Sequence, residues 1–129
     1  MSLELTYLIW SAALGFVYLN TQALLFRVQV GIRAANNQRD SDPPSNLWTA
    51  RGERALRNFL ESYAIFVALA VATELSGRSD ALTQWGCHLY FWARAVYLPL
   101  YVFGISPARS IVWTLSAIGL TLLFIGVVA

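Results

Sequence analysis

Four long apolar segments, separated by short polar connections, dominate the pattern of hydrophobic and polar positions. They lie at residues 5–26, 59–73, 81–103 and 111–129. A helix that crosses a bilayer needs roughly 20 mainly apolar residues, with a range of about 17–25. The first, third and fourth segments meet this requirement, and the second meets it once the polar turns before it are counted. We therefore predict an all-α integral membrane protein, with one domain over residues 1–129 and four transmembrane helices at about 3–33, 49–76, 80–104 and 107–128.

The composition agrees with this class. Hydrophobic residues make up 57% of the chain and charged residues only 12%, whereas a soluble domain has about 25% charged residues. The first apolar segment is too long for a secretory signal, has no basic region ahead of it and follows Glu4. We therefore expect it to be a membrane helix.

All nine basic residues are arginines, and they are unevenly distributed. Six surround the first connection: Arg27, Arg33, Arg39, Arg51, Arg54 and Arg57. Arg109 lies in the third connection, and the second connection contains only Arg78. The positive-inside rule then predicts that the first and third connections are cytoplasmic and that both termini lie on the opposite side. Because these groups lie at membrane depth rather than on a soluble patch, we expect no nucleic-acid partner.

A polar stripe leads into the second segment. It consists of Arg51, Arg54, Asn58 and Glu61. Their spacing of three or four residues places them on one helical face, directly before residues 65–72, which are all apolar. Charged groups at this depth are costly and normally face a bundle interior or a cavity. We therefore expect a polar ligand at this face.

The third segment carries an arginine among tyrosines on one face: Tyr90, Arg94, Tyr97 and Tyr101. An arginine within a membrane needs polar partners, and Glu61 is the obvious one. A purely structural pair between Arg94 and Glu61 is the alternative to ligand binding. The segment also contains Pro99, which predicts a kink.

The fourth segment begins with helix-starting residues. Ser106 is the predicted N-cap and Pro107 the first helical residue, so Arg109 and Ser110 fall in the first turn. An arginine beside the positive end of the helix dipole is unfavourable for the helix alone, but it is favourable beside a bound anion. Alternatively, Arg109 anchors the helix among lipid headgroups.

Turn formers and capping residues predict the other helix ends. Residues 34–48 form a loop, in which Arg39 and Asp40 either pair locally or cover a pocket mouth. Thr49 is the predicted N-cap of the second helix and Asp80 that of the third. Gly77 is the predicted stop between them.

The chain has one cysteine and one histidine, which limits the kinds of metal site that it could form. Cys87 alone excludes an intramolecular disulfide and a cysteine-based metal site, and His88 alone argues against a histidine-rich centre. We therefore predict no metal. Both residues lie in the third segment, where we interpret them as packing or interhelical hydrogen-bonding residues.

Three spaced motifs resemble the MAPEG family, the membrane-associated proteins of eicosanoid and glutathione metabolism. They are Arg54-Ala55-x-x-Asn58-x-x-Glu61, Arg94-x-x-Tyr97-x-x-x-Tyr101 and Ser106-Pro107-x-Arg109-Ser110. Size and hydropathy match as well, so the likeness covers nearly the whole chain. It looks most like the short bacterial members, although Trp113 stands where some members have a tyrosine.

The resemblance implies a homotrimer in a bacterial inner membrane, with three glutathione sites between subunits that open toward the cytosol. The residues that match the family's glutathione ligands are Arg54, Asn58, Glu61, Arg94, Tyr97 and Tyr101. A first-helix arginine of the neighbouring subunit, Arg33 or Arg27, helps them. In the family, the residue that matches Arg109 stabilises the thiolate of glutathione. The residue that matches Ser110 has a similar role in one branch of the family. We add Arg51, which shares the face of Arg54, as a further ligand candidate.

These residue types suit glutathione, which carries two carboxylates, an ammonium and a thiol. Arginines bind carboxylates in a bidentate way, and Glu61 suits the ammonium. The leading hypothesis is a glutathione-dependent membrane transferase or peroxidase, with glutathione as co-substrate and a lipophilic electrophile or lipid hydroperoxide arriving from the bilayer.

Two other function classes remain open. One is a non-catalytic lipid-binding or scaffold protein on the same fold. The other is a small transporter or channel subunit, which would need polar groups along the whole second helix. Beyond Phe59 that helix is almost entirely apolar, which counts against a polar pathway.

Overall fold

The computed structural model describes residues 1–36, 40 and 43–129, and in these the chain is helical without strands. Five helices follow one another: α1 Leu3–Val30, α2 Ile32–Ala35, α3 Leu47–Ser76, α4 Ala81–Val102 and α5 Ser106–Val128. In the described residues, α1, α3 and α5 are long and apolar enough to cross a membrane. α4 has 22 residues and packs mainly against α5. The predicted all-α class is confirmed for this part of the chain.

The first helix ends earlier than expected, at a glycine. Gly31 adopts a φ of 87°, a conformation that other residues rarely take, and its N–H donates to the Arg27 carbonyl at 2.8 Å. The chain then forms the short α2, which contains Arg33. The expected pairing of Arg39 with Asp40 lies outside the described residues, because Arg39 is not among them.

Two of the predicted N-caps are wrong, one by three residues and the other by one. Asn46 caps α3, since its side chain accepts the Thr49 N–H at 2.8 Å. Thr49 instead lies inside the helix and donates its hydroxyl to the Leu25 carbonyl at 3.1 Å. At α5 the N-cap position is Ile105, and Ser106 is already helical. Proline is tolerated anywhere in a first helical turn because no helical partner waits for its missing N–H.

The ends between α3 and α4 follow the prediction. Gly77 closes α3 in the left-handed region with a φ of 69°. Asp80 caps α4 in a capping box with Thr83: its carboxylate accepts the Thr83 N–H at 3.0 Å, and the Thr83 hydroxyl accepts the Asp80 N–H at 2.9 Å. This satisfies backbone donors that the helix leaves without partners.

A ladder of aromatic rings forms the core between the long helices. It runs through Tyr18, Phe59, Tyr63, Phe66 and Tyr90, with successive ring centroids 4.5, 4.8, 6.4 and 4.4 Å apart. Stacked and offset rings add to the gain from burying their area. The ladder therefore ties α1, α3 and α4 together along the depth of the bundle.

Cys87 and His88 take the structural roles that were expected. Cys87 is fully buried in the core with Phe66 and Tyr90. His88 lies beside α1, where its Nδ1 shares a hydrogen bond of 2.5 Å with the Tyr7 hydroxyl. Both residues therefore join helices.

α4 and α5 approach each other at two glycines. A Cβ added at Gly86 would lie 2.7 Å from the Gly119 carbonyl oxygen, and one added at Gly119 would lie 2.7 Å from the Tyr90 nitrogen. These are backbone atoms, so no side-chain rotation can make room. Gly86 and Gly119 therefore allow the two helices to pack closely.

Gly86→Ala and Gly119→Ala are therefore expected to destabilise the protein. Pushing the backbones of α4 and α5 apart should cost about 1–3 kcal/mol, more than the roughly 1 kcal/mol that alanine gains in helix propensity. Gly15→Ala is the matched control, because its added Cβ meets only the Phe59 ring, at 3.3 Å. Thermal denaturation in detergent should show a lower midpoint for the first two variants alone. Equal midpoints for all three would contradict the close contact.

Candidate functional site

A buried arginine is the centre of the polar residues inside the bundle. Arg94 on α4 is 1% exposed. Its Nη1 donates to the Asn58 Oδ1 at 2.6 Å and its Nη2 to the Ser62 Oγ at 3.1 Å. Asn58 and Ser62 lie four residues apart on α3 and so share a face. The guanidinium therefore joins α3 to α4 through neutral acceptors.

The expected partnership between Arg94 and Glu61 is wrong. Glu61 is exposed, and Arg94 has no carboxylate partner among the described residues. Glu61 lies one residue before Ser62, which turns it about 100° around the helix from the face that meets Arg94. The guanidinium instead lies 5.0 Å from the Tyr97 ring centre and 5.8 Å from that of Tyr90. Its Nε is buried and has no hydrogen-bond partner in the part of the chain that the structure describes.

Two further arginines meet at one tyrosine near the cytoplasmic end that the charge pattern predicts. The Arg54 Nε donates to the Tyr101 hydroxyl at 3.2 Å, and the Arg109 Cζ lies 4.7 Å from the centre of the Tyr101 ring. The ring of Tyr97 is 5.5 Å from that of Tyr101. Tyr101 thus brings predicted site residues of α3, α4 and α5 together.

A cavity of about 370 Å³ opens between α3, α4 and α5 at this place. Its lining consists of Asn58, Tyr97, Tyr101, Arg109, Ser110, Trp113 and Thr114. Five of these are predicted site residues. Since Asn58 also holds Arg94, the cavity lies next to the buried guanidinium.

Glu61 lies on another face of α3. It lines a groove of about 480 Å³ between α1 and α3, together with Gln22, Glu53, Leu56, Arg57 and Leu60. Within one chain, the carboxylate predicted to bind the ligand ammonium is therefore separate from the cavity that contains Arg109.

Arg51 and Arg33 are predicted site residues that line neither cavity. The Arg51 Nη1 donates to the Val102 carbonyl at 3.2 Å, where α4 ends, and the guanidinium lies 5.5 Å from a ring centre of Trp48. A Cβ at Gly104 would come within 2.7 Å of the Arg51 Nη2. Arg33 is exposed on α2. Arg51 therefore holds the turn between α4 and α5, while Arg33 faces away from this chain.

Two polar residues at the site, Ser62 and Thr114, were not predicted. Ser62 accepts from Arg94 and shares a hydrogen bond of 2.9 Å with the Tyr90 hydroxyl. Thr114 lines the cavity one turn after Ser110 and donates to its carbonyl at 3.0 Å. Both lie four residues beyond a residue that was identified, so helical spacing is the signal that could have found them.

Because the hydrogen-bond partners of Arg94 are neutral, substitutions at Asn58 and at Arg94 should differ in their effect on protein stability. Asn58→Ala strands a buried cation and should lower stability by about 1–3 kcal/mol. Arg94→Met removes the charge together with its desolvation cost, so it should be less destabilising. Thermal midpoints in detergent check this order. A lower midpoint for Arg94→Met than for Asn58→Ala would contradict it.

Comparison with known proteins places the chain in a family. The model of the MAPEG family matches residues 7–129. Neither the search of curated proteins nor the search of solved structures gave a match. The family match includes all three motifs and all the residues of the cavity. The chain belongs to the MAPEG family and is an integral membrane protein.

Proposed function

We propose that this protein is a glutathione-dependent membrane transferase or peroxidase acting on lipophilic electrophiles or lipid hydroperoxides. One observation carries the proposal: a fully buried arginine without a carboxylate partner in the described chain lies beside an open cavity that contains a second arginine, Arg109. Uncompensated buried cations are costly, and an anionic ligand would offset that cost.

The residues suit separate parts of glutathione. Arg94 and Arg54 would bind carboxylates, since guanidiniums match them in a bidentate way. The hydroxyls of Tyr97 and Tyr101 and the amide of Asn58 would complete a polar cup. Arg109 lies in the first turn of α5, where free N–H groups and the helix dipole also favour an anion. We assign the thiolate to this end, with the Ser110 hydroxyl as a second donor.

In the transferase reaction the thiol proton leaves for solvent before bond formation. The thiolate sulfur then attacks the electrophilic carbon of the second substrate, and the leaving group takes the displaced electron pair. A lipophilic substrate would reach the cavity from the bilayer, past Trp113. The arginine lowers the barrier only by stabilising the thiolate that it faces.

We further propose a homotrimer of four-transmembrane-helix subunits with the site between them. Glu53, Arg57 and Glu61 follow one another at four-residue spacing along an α3 groove that is open in the single chain. Charges facing lipid at this depth are costly, and a neighbouring subunit would cover them. The neighbour would also supply Arg33 or Arg27, and Glu61 would reach the ligand ammonium at such an interface.

Following the resemblance, we propose that the trimer lies in a bacterial inner membrane with the first and third connections cytoplasmic.

A non-catalytic lipid-binding role is the second candidate. A separate groove of about 500 Å³ favours it, lined by Leu3, Thr6, Tyr7, Trp10, Phe91, Trp92 and Ala95. The groove is almost entirely apolar and lies between α1 and α4.

Calorimetric titration of detergent-purified protein with glutathione, followed by a conjugation assay, separates the two candidate functions. Absence of glutathione binding would leave lipid binding as the function.

Arg109→Ala is expected to abolish thiol activation while glutathione still binds within about tenfold of wild type. A free thiol has a pKa of about 8.5, and lowering it to about 6.5 requires ~3 kcal/mol of preferential thiolate stabilisation. A charge-assisted bond from Arg109 in a water-poor site could supply that. Ultraviolet absorbance of bound glutathione, titrated against pH, measures the thiolate directly.

Arg78→Ala is the control for this experiment. Arg78 lies near the other end of the bundle, where its Nη1 donates to the Ala129 carbonyl at 3.2 Å. It should leave the titration curve unchanged. Identical curves for wild type and Arg109→Ala would mean that Arg109 only anchors α5 at the headgroups.

Arg57→Glu is expected to weaken the trimer. It creates three carboxylates at four-residue spacing on one face of α3, with Glu53 and Glu61, and like charges at this spacing repel. Native mass spectrometry in mild detergent should show wild-type trimer and more monomer for the variant. Arg78→Glu serves as the control charge reversal. If the wild-type protein shows only monomer in this measurement, the result would count against a site between subunits.

A further inference from the structure

A tyrosine of α1 contacts both helices that hold the buried arginine. Tyr18 is fully buried. Its hydroxyl donates to the Arg94 carbonyl at 2.6 Å, and its ring stacks on Phe59 with centroids 4.5 Å apart and an interplanar angle of 19°. Phe59 directly follows Asn58, the acceptor of the Arg94 guanidinium. Tyr18 therefore touches the backbone of one member of the Arg94–Asn58 pair and the neighbour of the other.

We propose that Tyr18 is a positioning residue that sets the orientation of the Arg94 guanidinium through the backbone of α4. The effect of Tyr18 on glutathione affinity rests on the proposed function. Its effect on the orientation of Arg94 does not depend on that function. Its hydroxyl contacts Arg94 on α4 and its ring contacts Phe59 on α3.

The arginine needs such support because its side-chain partners are weak. They are one amide oxygen, one hydroxyl and two ring faces, and Nε has no hydrogen-bond partner in residues 1–36, 40 and 43–129. A carboxylate would fix the plane of a guanidinium through two parallel bonds, but none contacts Arg94 in the described chain. Its orientation consequently depends on where the Arg94 backbone lies.

The backbone of α4 is weakened close to this point. Pro99 lies inside the helix and has no N–H, so the carbonyl four residues earlier, at Ala95, loses its helical donor. A carbonyl has two lone pairs and accepts a second bond without losing its first. The Tyr18 hydroxyl thus adds an external attachment one residue before the weakened turn.

Tyr63 provides a matched control. Its ring stacks on the same Phe59, at 4.8 Å, and its hydroxyl also bridges α1 and α3 through a 2.9 Å hydrogen bond with Ser11. It makes no hydrogen bond to α4 in the described residues. Tyr18→Phe and Tyr63→Phe each remove one hydroxyl from the same ladder, but only the first releases the Arg94 backbone.

The first measurement is independent of glutathione. In protein labelled with ¹⁵N-arginine in detergent micelles, the Nε–H signal of Arg94 is assigned by its loss in Arg94→Lys. Tyr18→Phe should shift this signal and speed its hydrogen exchange up to about tenfold, the effect of one lost hydrogen bond. Tyr63→Phe should leave it unchanged. Equal effects, or none, from the two variants would overturn the inference.

The second measurement is the calorimetric Kd of glutathione. Tyr18→Phe should weaken binding up to about tenfold and should cause no further loss in an Arg94→Lys background, because residues that act as a unit are not additive. A full, additive loss in that background would overturn the inference. If wild-type protein binds no glutathione, the proposed function fails and the arginine signal alone decides the role of Tyr18.

A second variant covers the case in which Tyr18→Phe does not yield folded protein. Phe59→Leu keeps the Tyr18 hydroxyl but removes the ring on which Tyr18 stacks. It should shift the Arg94 Nε–H signal in the same direction, to a smaller extent. An unchanged signal would show that the ladder does not position Arg94.

Discussion

The structure depends on a cation held inside an apolar bundle by neutral groups. Arg94 links α4 to α3 through Asn58 and Ser62, and the aromatic rings around it exclude water. Such an arrangement is poor for stability, because a buried charge is best compensated by an opposite one. Under the proposed function the arrangement suits binding, because an anionic ligand would supply the missing opposite charge. The stability that the bare cation costs would then be recovered when the ligand binds.

The placement of α5 follows from the same constraint. The motif Ser106-Pro107-x-Arg109 starts a helix whose first turn faces the cavity, so a second cation and a dipole end lie near the first. Tyr101 contacts both Arg54 and Arg109. Two like charges therefore meet at one ring beside the cavity, an arrangement that an anion would stabilise.

The sequence predicted the helical class, the family and five of the seven cavity-lining residues, because helical periodicity and local motifs encode which residues share a face. It did not predict which face meets which helix. Glu61 and Asn58 belong to one polar stripe of α3, yet they line different cavities. The stripe is wide, so one of its edges faces α1 and the other faces α4 and α5. The α3 cap was misplaced because Asn46 and Thr49 are both good caps, and only tertiary contacts decide between them.

The glycine contact between α4 and α5 has a dynamic consequence. Backbones in direct van der Waals contact at Gly86 and Gly119 cannot slide past each other without a clash, so these two helices behave as one rigid unit. Widening of the cavity must then come from α3 and α1 moving relative to that unit. Within the aromatic ladder, only the contact between Phe66 and Tyr90 crosses this boundary. A bulky molecule that passes Trp113 would therefore meet a fixed α5 wall, and only the α3 side of the cavity could move to make room for it.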